Sequence, residues 1–311
     1  MCISASRYST VAVLAAAPLP AAAGCIHHAL RLTLAGLVLG AMSSLQAAPL
    51  GWVLNTNQTL DLVNVATNAD APFNTTPFPS DSLAVTPAGT LFAADGFGNL
   101  WNVTGPPIPV GATLRTQIAD LDWAANGLWG YSNTSQELFY FDLGSSNVTY
   151  AATLTLPGSL SPAAIVSGVA HDPGTGDIYL SAWDGLNNDL LLRVAASTTT
   201  ALLVGSMAHG DGFSYIADID FDGAGTLFAV TWFHRWFYSV SPATAATSFI
   251  SSGPHRDSTA LALQPVPVPA AAWLFGSALG VMGWMRRKAA PGRNPSAANQ
   301  ETAGSLAGLS I

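Results

Sequence analysis

Two pairs of aspartates are the clearest candidates for chemistry in this sequence. Asp120 and Asp122 flank one apolar residue, and Asp218 and Asp220 flank another, so the two pairs share a pattern. Residues two apart in a β-strand lie on the same face, so each pair would present its carboxylates together. Carboxylate oxygens are ligands that Ca²⁺ prefers. The pattern therefore allows a calcium site of four carboxylates or, alternatively, carboxylates that accept hydrogen bonds from backbone amides.

Other catalytic and metal-binding patterns are weak. The histidines of the central region, His171, His209, His234 and His255, fall in separate segments without metal-ligand spacing. No nucleophile elbow and no phosphate-binding loop is present, although a triad assembled from distant segments stays open. The segment Asp218–Gly223 begins like an EF-hand loop, but Ala229 stands where that loop needs a bidentate Glu.

Aromatic residues cluster in the segment Trp232–Tyr238, which reads WFHRWFY. Exposed aromatic rings could stack on the apolar faces of sugars. Alternatively, these rings fill the core between neighbouring sheets.

The elements that would position these residues come from an internal repeat. Each copy contains an alternating strand, a turn that ends in Gly, a second strand that starts with Leu or Ile, and an aromatic-rich third strand. The turn glycines are about 40 to 50 residues apart, the size of a four-stranded propeller blade. The four copies are Ser82–Val103, Asp120–Asp142, Gly168–Val194 and Asp218–Val240. Short apolar runs between them are predicted as fourth strands: Thr113–Ile118, Val148–Leu154, Ala201–Met207 and Ala246–Ile250.

The two ends of the repeat region complete one another. Ala260–Pro265 matches the opening of the first copy but does not continue, while Trp52–Val65 has later strands without an opening one. Pairing the two would close a ring in a split blade. The sequence therefore predicts an all-β fold, a β-propeller of five blades over residues 49–265. Six blades are an alternative if Ala66–Ser80 hides a degenerate repeat, and a β-sandwich is a second alternative.

Composition excludes several classes of function. Residues 49–285 contain 16 Asp and one Glu against four Arg and no Lys, a formal charge of −13. This charge repels phosphate backbones, so we expect no nucleic-acid partner. Both cysteines, Cys2 and Cys25, lie in the N-terminal 48 residues.

Those 48 residues are predicted to be a leader with a secretory signal peptide. Arg31 is followed by the apolar run Leu32–Met42 and then by small residues that suit cleavage after Ala47 or Ala48. Removal of this leader would leave a mature chain without cysteine, which excludes disulfides and thiolate chemistry.

The C-terminal segment Val266–Lys288 has three parts in fixed order. Its first part is the proline-containing stretch Val266, Pro267, Val268, Pro269, Ala270 and Ala271. The run Ala270–Met285 carries no charge, and a helix from Val268 to Met285 would be about 27 Å long, enough for a bilayer core. The third part is the basic cluster Arg286, Arg287 and Lys288, which the positive-inside rule would keep cytoplasmic.

This order resembles the PEP-CTERM sorting domain in its VPLPA variant. The resemblance covers residues 266–288, and residues 289–311 form an additional tail that we expect to be disordered. The resemblance implies an exosortase as processing enzyme, a Gram-negative host that makes extracellular polysaccharide, and a transient inner-membrane intermediate before release to the cell surface or medium. We expect a non-enzymatic exported propeller. The alternatives are a metal-dependent propeller hydrolase or lactonase with an axial carboxylate site, and a permanently anchored surface protein.

Overall fold

The fold is seen in a computed structural model that describes residues 49–160, 164–186, 188–210, 215–253 and 257–264. Strands in these residues form five antiparallel sheets of four strands each. The first strands of neighbouring sheets contact one another in a ring, which places them at the centre. The predicted five-bladed β-propeller is therefore confirmed, and the β-sandwich is wrong.

Four blades are continuous in sequence and match the four predicted repeats. Blade 2 contains β4 Ala84–Val85, β5 Leu91–Ala94, β6 Asn99–Asn102 and β7 Ile108–Ala112, and blade 3 contains β8 Ile118–Ala124, β9 Gly127–Ser132, β10 Glu137–Asp142 and β11 Asn147–Thr153. Blade 4 contains β12 Ile165–His171, β13 Ile178–Trp183, β14 Asp189–Val194 and β15 Ala201–Ser206, and blade 5 contains β16 Ile216–Phe221, β17 Leu227–Thr231, β18 Trp236–Val240 and β19 Thr247–Ser252.

The remaining blade, blade 1, joins the two ends of the propeller. It consists of β20 Ser258–Leu263 at the centre, followed outward by β1 Leu50–Asn55, β2 Thr59–Asn64 and β3 Ala69–Thr75. Strands β20 and β1 pair antiparallel from Gly51 opposite Leu263 to Asn55 opposite Ser258. This pairing confirms the predicted split blade. The segment 66–80 supplies β3 and a connection, so the sixth blade is wrong.

Outer strands form where the sequence predicted them in blades 3, 4 and 5, but not in blade 2. There β7 is Ile108–Ala112, and the predicted run Thr113–Ile118 is a connection that leads into β8. Strand β7 includes Pro109, which an edge strand tolerates because one of its sides has no partner. In all five blades the pairing of third and fourth strands contains a register shift, which twists the exposed edge.

Apolar side chains fill the spaces between neighbouring blades. One cluster of buried residues lies at each of the five interfaces, and the cluster between blades 5 and 1 includes Val53 and Phe237. Aspartates stabilise several turns by accepting hydrogen bonds from backbone amides. The Asp222 carboxylate, for example, accepts from the amides of Ala224 and Thr226. This use of Asp accounts for part of its abundance.

The antiparallel order gives the ring two faces. We call the face on which the central strands begin the upper face and the face on which they end the lower face. Both ends of the described chain lie on the lower face, where the Gln264 amide donates to the Leu50 carbonyl at 2.9 Å. Within the described ranges, no helix is long and apolar enough to cross a membrane. The predicted leader, the span to Met285 and the 289–311 tail lie outside those ranges.

Candidate functional site

The four predicted aspartates lie in two central strands, Asp120 and Asp122 in β8 and Asp218 and Asp220 in β16. All four are buried, with at most 8 % of any residue exposed. The sequence therefore identified the strands and the shared face correctly.

The carboxylates of β8 accept hydrogen bonds from the next blade. Asp120 accepts from the Val169 amide at 2.9 Å, and Asp122 accepts from the His171 amide. Strand β12 pairs with β13 on one side only, so amides on its other side have no strand partner. The two aspartates satisfy these buried donors, which would otherwise cost free energy. Asp120 also accepts from the Leu83 amide of the preceding connection, at 3.3 Å.

The carboxylates of β16 do the same for the closing blade. Asp218 accepts from the Leu261 amide at 2.6 Å, and Asp220 accepts from the Leu263 amide at 2.5 Å. The Asp-x-Asp strands thus each cap the free edge of the next central strand around the ring. This is the second interpretation that the sequence allowed, in which carboxylates bind backbone amides.

The protonation of these groups follows from their burial. Burial raises the pKa of Asp120, Asp218 and Asp220 well above the usual value, and raises the pKa of Asp122 to about 7. The negative charge of Asp120 and a side-chain hydrogen bond to Asp120 each raise the pKa of Asp218 further.

The structure favours the amide-acceptor interpretation of the four aspartates. Each carboxylate accepts a hydrogen bond from a backbone amide of the neighbouring blade. In the part of the chain that the structure describes, no group of three or more His, Cys, Asp or Glu is arranged to hold a metal. What the arrangement does chemically is hold neighbouring blades together.

A glycine in β12 makes room for this arrangement, which gives a first prediction. A Cβ on Gly168 would lie 2.5 Å from Asp218 Oδ1 and 2.7 Å from the Ile219 nitrogen. We expect Gly168→Ala to lower the free energy of unfolding by about 1 to 3 kcal/mol, because the packed axis must shift. Urea denaturation measures the change. Gly158→Ala is the control, since a Cβ there meets nothing within 4 Å, and equal stability of the two variants would contradict the prediction.

The aromatic segment Trp232–Tyr238 is divided between core and surface. Phe237 and Tyr238 are buried between blades, as the second interpretation stated, whereas Phe233 is 44 % exposed. Trp232 and Trp236 are half-buried. The segment therefore belongs partly to the core and partly to the upper face.

Two features of the structure were not predicted. One is Arg235, which is fully buried and bonds Asp61, Asn68 and Asp70 of the closing blade. The other is a buried pair between Asp189 and His209, whose Oδ2 and Nε2 atoms are 2.7 Å apart. Neither has a local sequence signal, although a lone Arg within an apolar, aromatic segment indicates a residue that needs buried partners.

Comparison with known proteins adds little beyond the fold. No known protein family and no curated protein matches the chain. Among solved structures, a chain of the "Crystal structure of Nidogen/Laminin Complex" is similar at 9 % identity and a TM-score of 0.49, covering 70 % of this chain and 98 % of that one. A likeness this distant carries no argument about function. The class of the protein, an all-β five-bladed propeller, rests on its own strand pairings.

Proposed function

We propose that this protein is an exported, non-enzymatic β-propeller carried to the cell surface by a C-terminal sorting signal. The observation that carries the proposal is the sequence Val266–Lys288, in which a proline motif, an apolar run and a basic cluster follow one another. An exosortase-type enzyme would process the chain at an inner-membrane stage. Extracellular polysaccharide would be its surroundings after release.

The propeller is compatible with this route. Strand β20 ends at Leu263, only three residues before the proline motif begins at Val266. A chain held in the membrane by residues 270–285 would therefore keep its lower face near the bilayer. The upper face would point away from the membrane and be free to bind.

The alternative of a metal-dependent hydrolase or lactonase is less well supported. It required the four axial aspartates as metal ligands, and their oxygens are occupied by backbone amides. Permanent anchoring stays a second alternative, because it needs the same apolar run without cleavage.

Mass spectrometry of the released protein tests the proposal. We expect a mature N-terminus at Ala48 or Pro49 and a C-terminus upstream of Trp273. Replacing Arg286, Arg287 and Lys288 with Ala should leave the chain unprocessed and in the membrane fraction, whereas Arg293→Ala in the tail serves as a charge control. Released protein that still contains residues 273–288 would overturn the sorting proposal, and an unprocessed membrane-bound parent chain would favour the permanent anchor.

A further inference from the structure

The outer strands of blades 3, 4 and 5 form a side surface without charged residues. Strands β11, β15 and β19 read NVTYAAT, ALLVGS and TSFISS, so none of them contains Asp, Glu, Lys, Arg or His. The other two outer strands differ, because β3 contains Asp70 and Pro72 and β7 contains Pro109. Charged side chains and proline protect an exposed sheet edge from pairing with another chain. The edges of blades 3, 4 and 5 therefore lack a protection that blades 1 and 2 have.

Strand β15 lies at the middle of this side surface, and its position is fixed by both neighbouring blades. It is the last strand of its sheet, so none of the described strands pairs with its outer side. At its start, the Ala201 amide donates to the Thr155 carbonyl of the segment after β11, at 2.9 Å. Near its end it abuts blade 5, since a Cβ on Gly205 would lie 2.9 Å from the Thr244 carbonyl oxygen.

The register of β15 shows which of its backbone groups point outward. The Ala201 amide donates to Thr155 and not to β14, so Ala201 and Val194 are a non-hydrogen-bonded pair of the antiparallel ladder. Hydrogen-bonded and non-hydrogen-bonded pairs alternate along such a ladder. Leu202 therefore bonds to β14, whereas Leu203 points its amide and its carbonyl away from the sheet. Leu203 thus presents a donor and an acceptor at the open edge of blade 4.

Exposed apolar side chains lie on the side of this edge that faces blade 3. Leu203 is exposed and lies opposite Leu192, a member of the apolar cluster between blades 3 and 4. Residues opposite one another in a ladder share a face of the sheet, so Leu203 points toward blade 3. Tyr150 of β11 is exposed as well, and its ring contacts that of Trp129, which packs against the same cluster.

A second set lies on the side that faces blade 5. Leu202 is 61 % exposed and, as the neighbour of Leu203 in the strand, points toward blade 5. Phe249 of β19 is 56 % exposed, and its ring contacts those of Trp236 and Tyr238 at the apolar cluster between blades 4 and 5. Exposed apolar side chains thus flank the open edge of β15 on both sides.

The charge of the protein favours a second copy of the chain as the partner for this surface. Residues 49–285 carry a formal charge of −13, so two copies repel one another wherever their aspartates approach. The outer strands of the side surface add no charge, and Arg193, which lies opposite Leu202, is paired with Asp177 at 2.7 Å. A cationic partner would gain nothing here and would be attracted to aspartates elsewhere. An uncharged apolar edge is where two acidic copies meet with the least repulsion.

We propose that two copies of this chain associate side by side, with β15 of one copy pairing antiparallel to β15 of the other across a two-fold axis. A strand edge that pairs with itself in this way is self-complementary, as a two-fold interface requires. The two blade 4 sheets would become one continuous sheet, in which the outward amide and carbonyl of Leu203 gain partners. Leu202, Leu203, Tyr150 and Phe249 would lose exposure to water, which stabilises the contact.

Sedimentation equilibrium of the purified full chain tests the inference. We expect a monomer–dimer equilibrium with a dissociation constant on the order of micromolar, because one short strand edge with a few apolar side chains buries less than a standard interface. Added salt should tighten the dimer, since salt screens the repulsion between the acidic copies and the contact contains no ion pair between them. A chain that stays monomeric from about 1 to 100 µM would overturn the inference.

Variants locate the contact. Leu203→Lys places like charges near the two-fold axis and should weaken the dimer at least about tenfold. Leu186→Lys, the same change at an exposed leucine in an upper-face turn of blade 4, should leave the association unchanged. Equal effects of the two changes would overturn the inference. If neither changes the affinity, the association lies elsewhere, for example in the apolar run 270–285.

Leu203→Pro separates backbone pairing from apolar contact. Proline removes the outward amide of residue 203 but no hydrogen bond within blade 4, and the edge strands β3 and β7 already contain proline. We expect this variant to lose the dimer while its thermal melting stays close to that of the parent chain.

Hydrogen exchange of the parent chain gives a second measure that needs no variant. The β15 amides should exchange more slowly at high than at low protein concentration, because pairing covers them. A dimer that leaves β15 exchange unchanged would overturn the strand pairing. None of these results bears on processing at Val266–Lys288, so the inference and the proposed function stand or fall separately.

Discussion

Replacing Arg235 with Ala is expected to destabilise the propeller by about 3 to 5 kcal/mol, the cost of breaking a buried ion pair from one side. Arg235 is fully buried at the end of the loop between β17 and β18. Its guanidinium donates to Asp70 at 2.9 Å, to Asn68 at 3.1 Å and to Asp61 at 3.3 Å. Truncation would remove the guanidinium that pairs with the Asp61 carboxylate, which is 1 % exposed.

The position of Arg235 makes this effect more than local. Its side chain belongs to blade 5 and its partners belong to the split blade 1, so it joins the two blades whose contact closes the ring. Asn68 strengthens the join, because its Nδ2 donates back to the Arg235 carbonyl at 2.7 Å. We therefore expect the variant to unfold with reduced cooperativity, beginning at blade 1.

Urea denaturation followed by tryptophan fluorescence would measure the loss. Arg193→Ala is the matched control, since the Arg193 side chain is 46 % exposed in its pair with Asp177 and should contribute at most about 1 kcal/mol. Arg235→Lys keeps the charge but lacks the planar fork, so its stability should fall between those of the parent chain and Arg235→Ala. If the Arg235 and Arg193 variants lose equal stability, Arg235 is not the closing contact.

The repeat made most of the fold predictable. Within each blade, the alternation of apolar and polar residues, the turn glycines and the aromatic-rich strands all indicate a four-stranded sheet. The incomplete repeats at the two ends indicated that the first and last strands pair in one blade. Gly89, Gly176 and Gly225 have the positive φ angles that such turns require. Gly127 does not; in that blade Ala125 takes the left-handed conformation, at φ 53°. The turn in blade 3 is shorter, so the residue with positive φ is Ala125 instead of the glycine. The position of the Gly in the sequence does not reveal this difference.

Contacts between blades were not predictable in the same way. The Asp120–Val169 and Asp218–Leu261 hydrogen bonds join residues 49 and 43 apart, and Arg235 reaches Asp61 across 174 positions. The alternation of apolar and polar residues along a strand predicts the face of the sheet on which a side chain lies. It does not predict which residue of the neighbouring blade contacts that side chain. The same carboxylates could therefore be read as metal ligands or as amide acceptors until the neighbouring strand edges were known.

The pH dependence of stability should follow from the axial carboxyls. Burial raises the pKa of Asp122 to about 7, and its charge in turn raises the pKa of Asp220, which burial has already raised. A carboxyl whose pKa is higher in the folded state holds its proton more firmly there than in the unfolded chain. Its contribution to stability is therefore fully present below the unfolded pKa of about 4 and is lost as pH rises through about 7.

Asp122→Asn should remove much of the loss of stability that occurs as the pH rises. Asn keeps a side-chain oxygen that can accept from the His171 amide but carries no ionisable proton, and it also relieves the repulsion on Asp220. We expect the free energy of unfolding of the parent chain to fall from pH 5 to pH 7 by up to about 1.4 kcal/mol per pH unit for each such group, and that of Asp122→Asn to fall less. The variant should consequently be the more stable of the two at pH 8.

Urea denaturation at pH 5, 6, 7 and 8 would measure both profiles. Asp142→Asn is the matched control, because the same change lies there in a turn at the rim of blade 3, and its profile should follow that of the parent chain. Parallel profiles for the parent chain and Asp122→Asn would show that Asp122 is ionised throughout this range. That result would contradict the prediction, and an ionised Asp122 would favour the calcium interpretation of these residues.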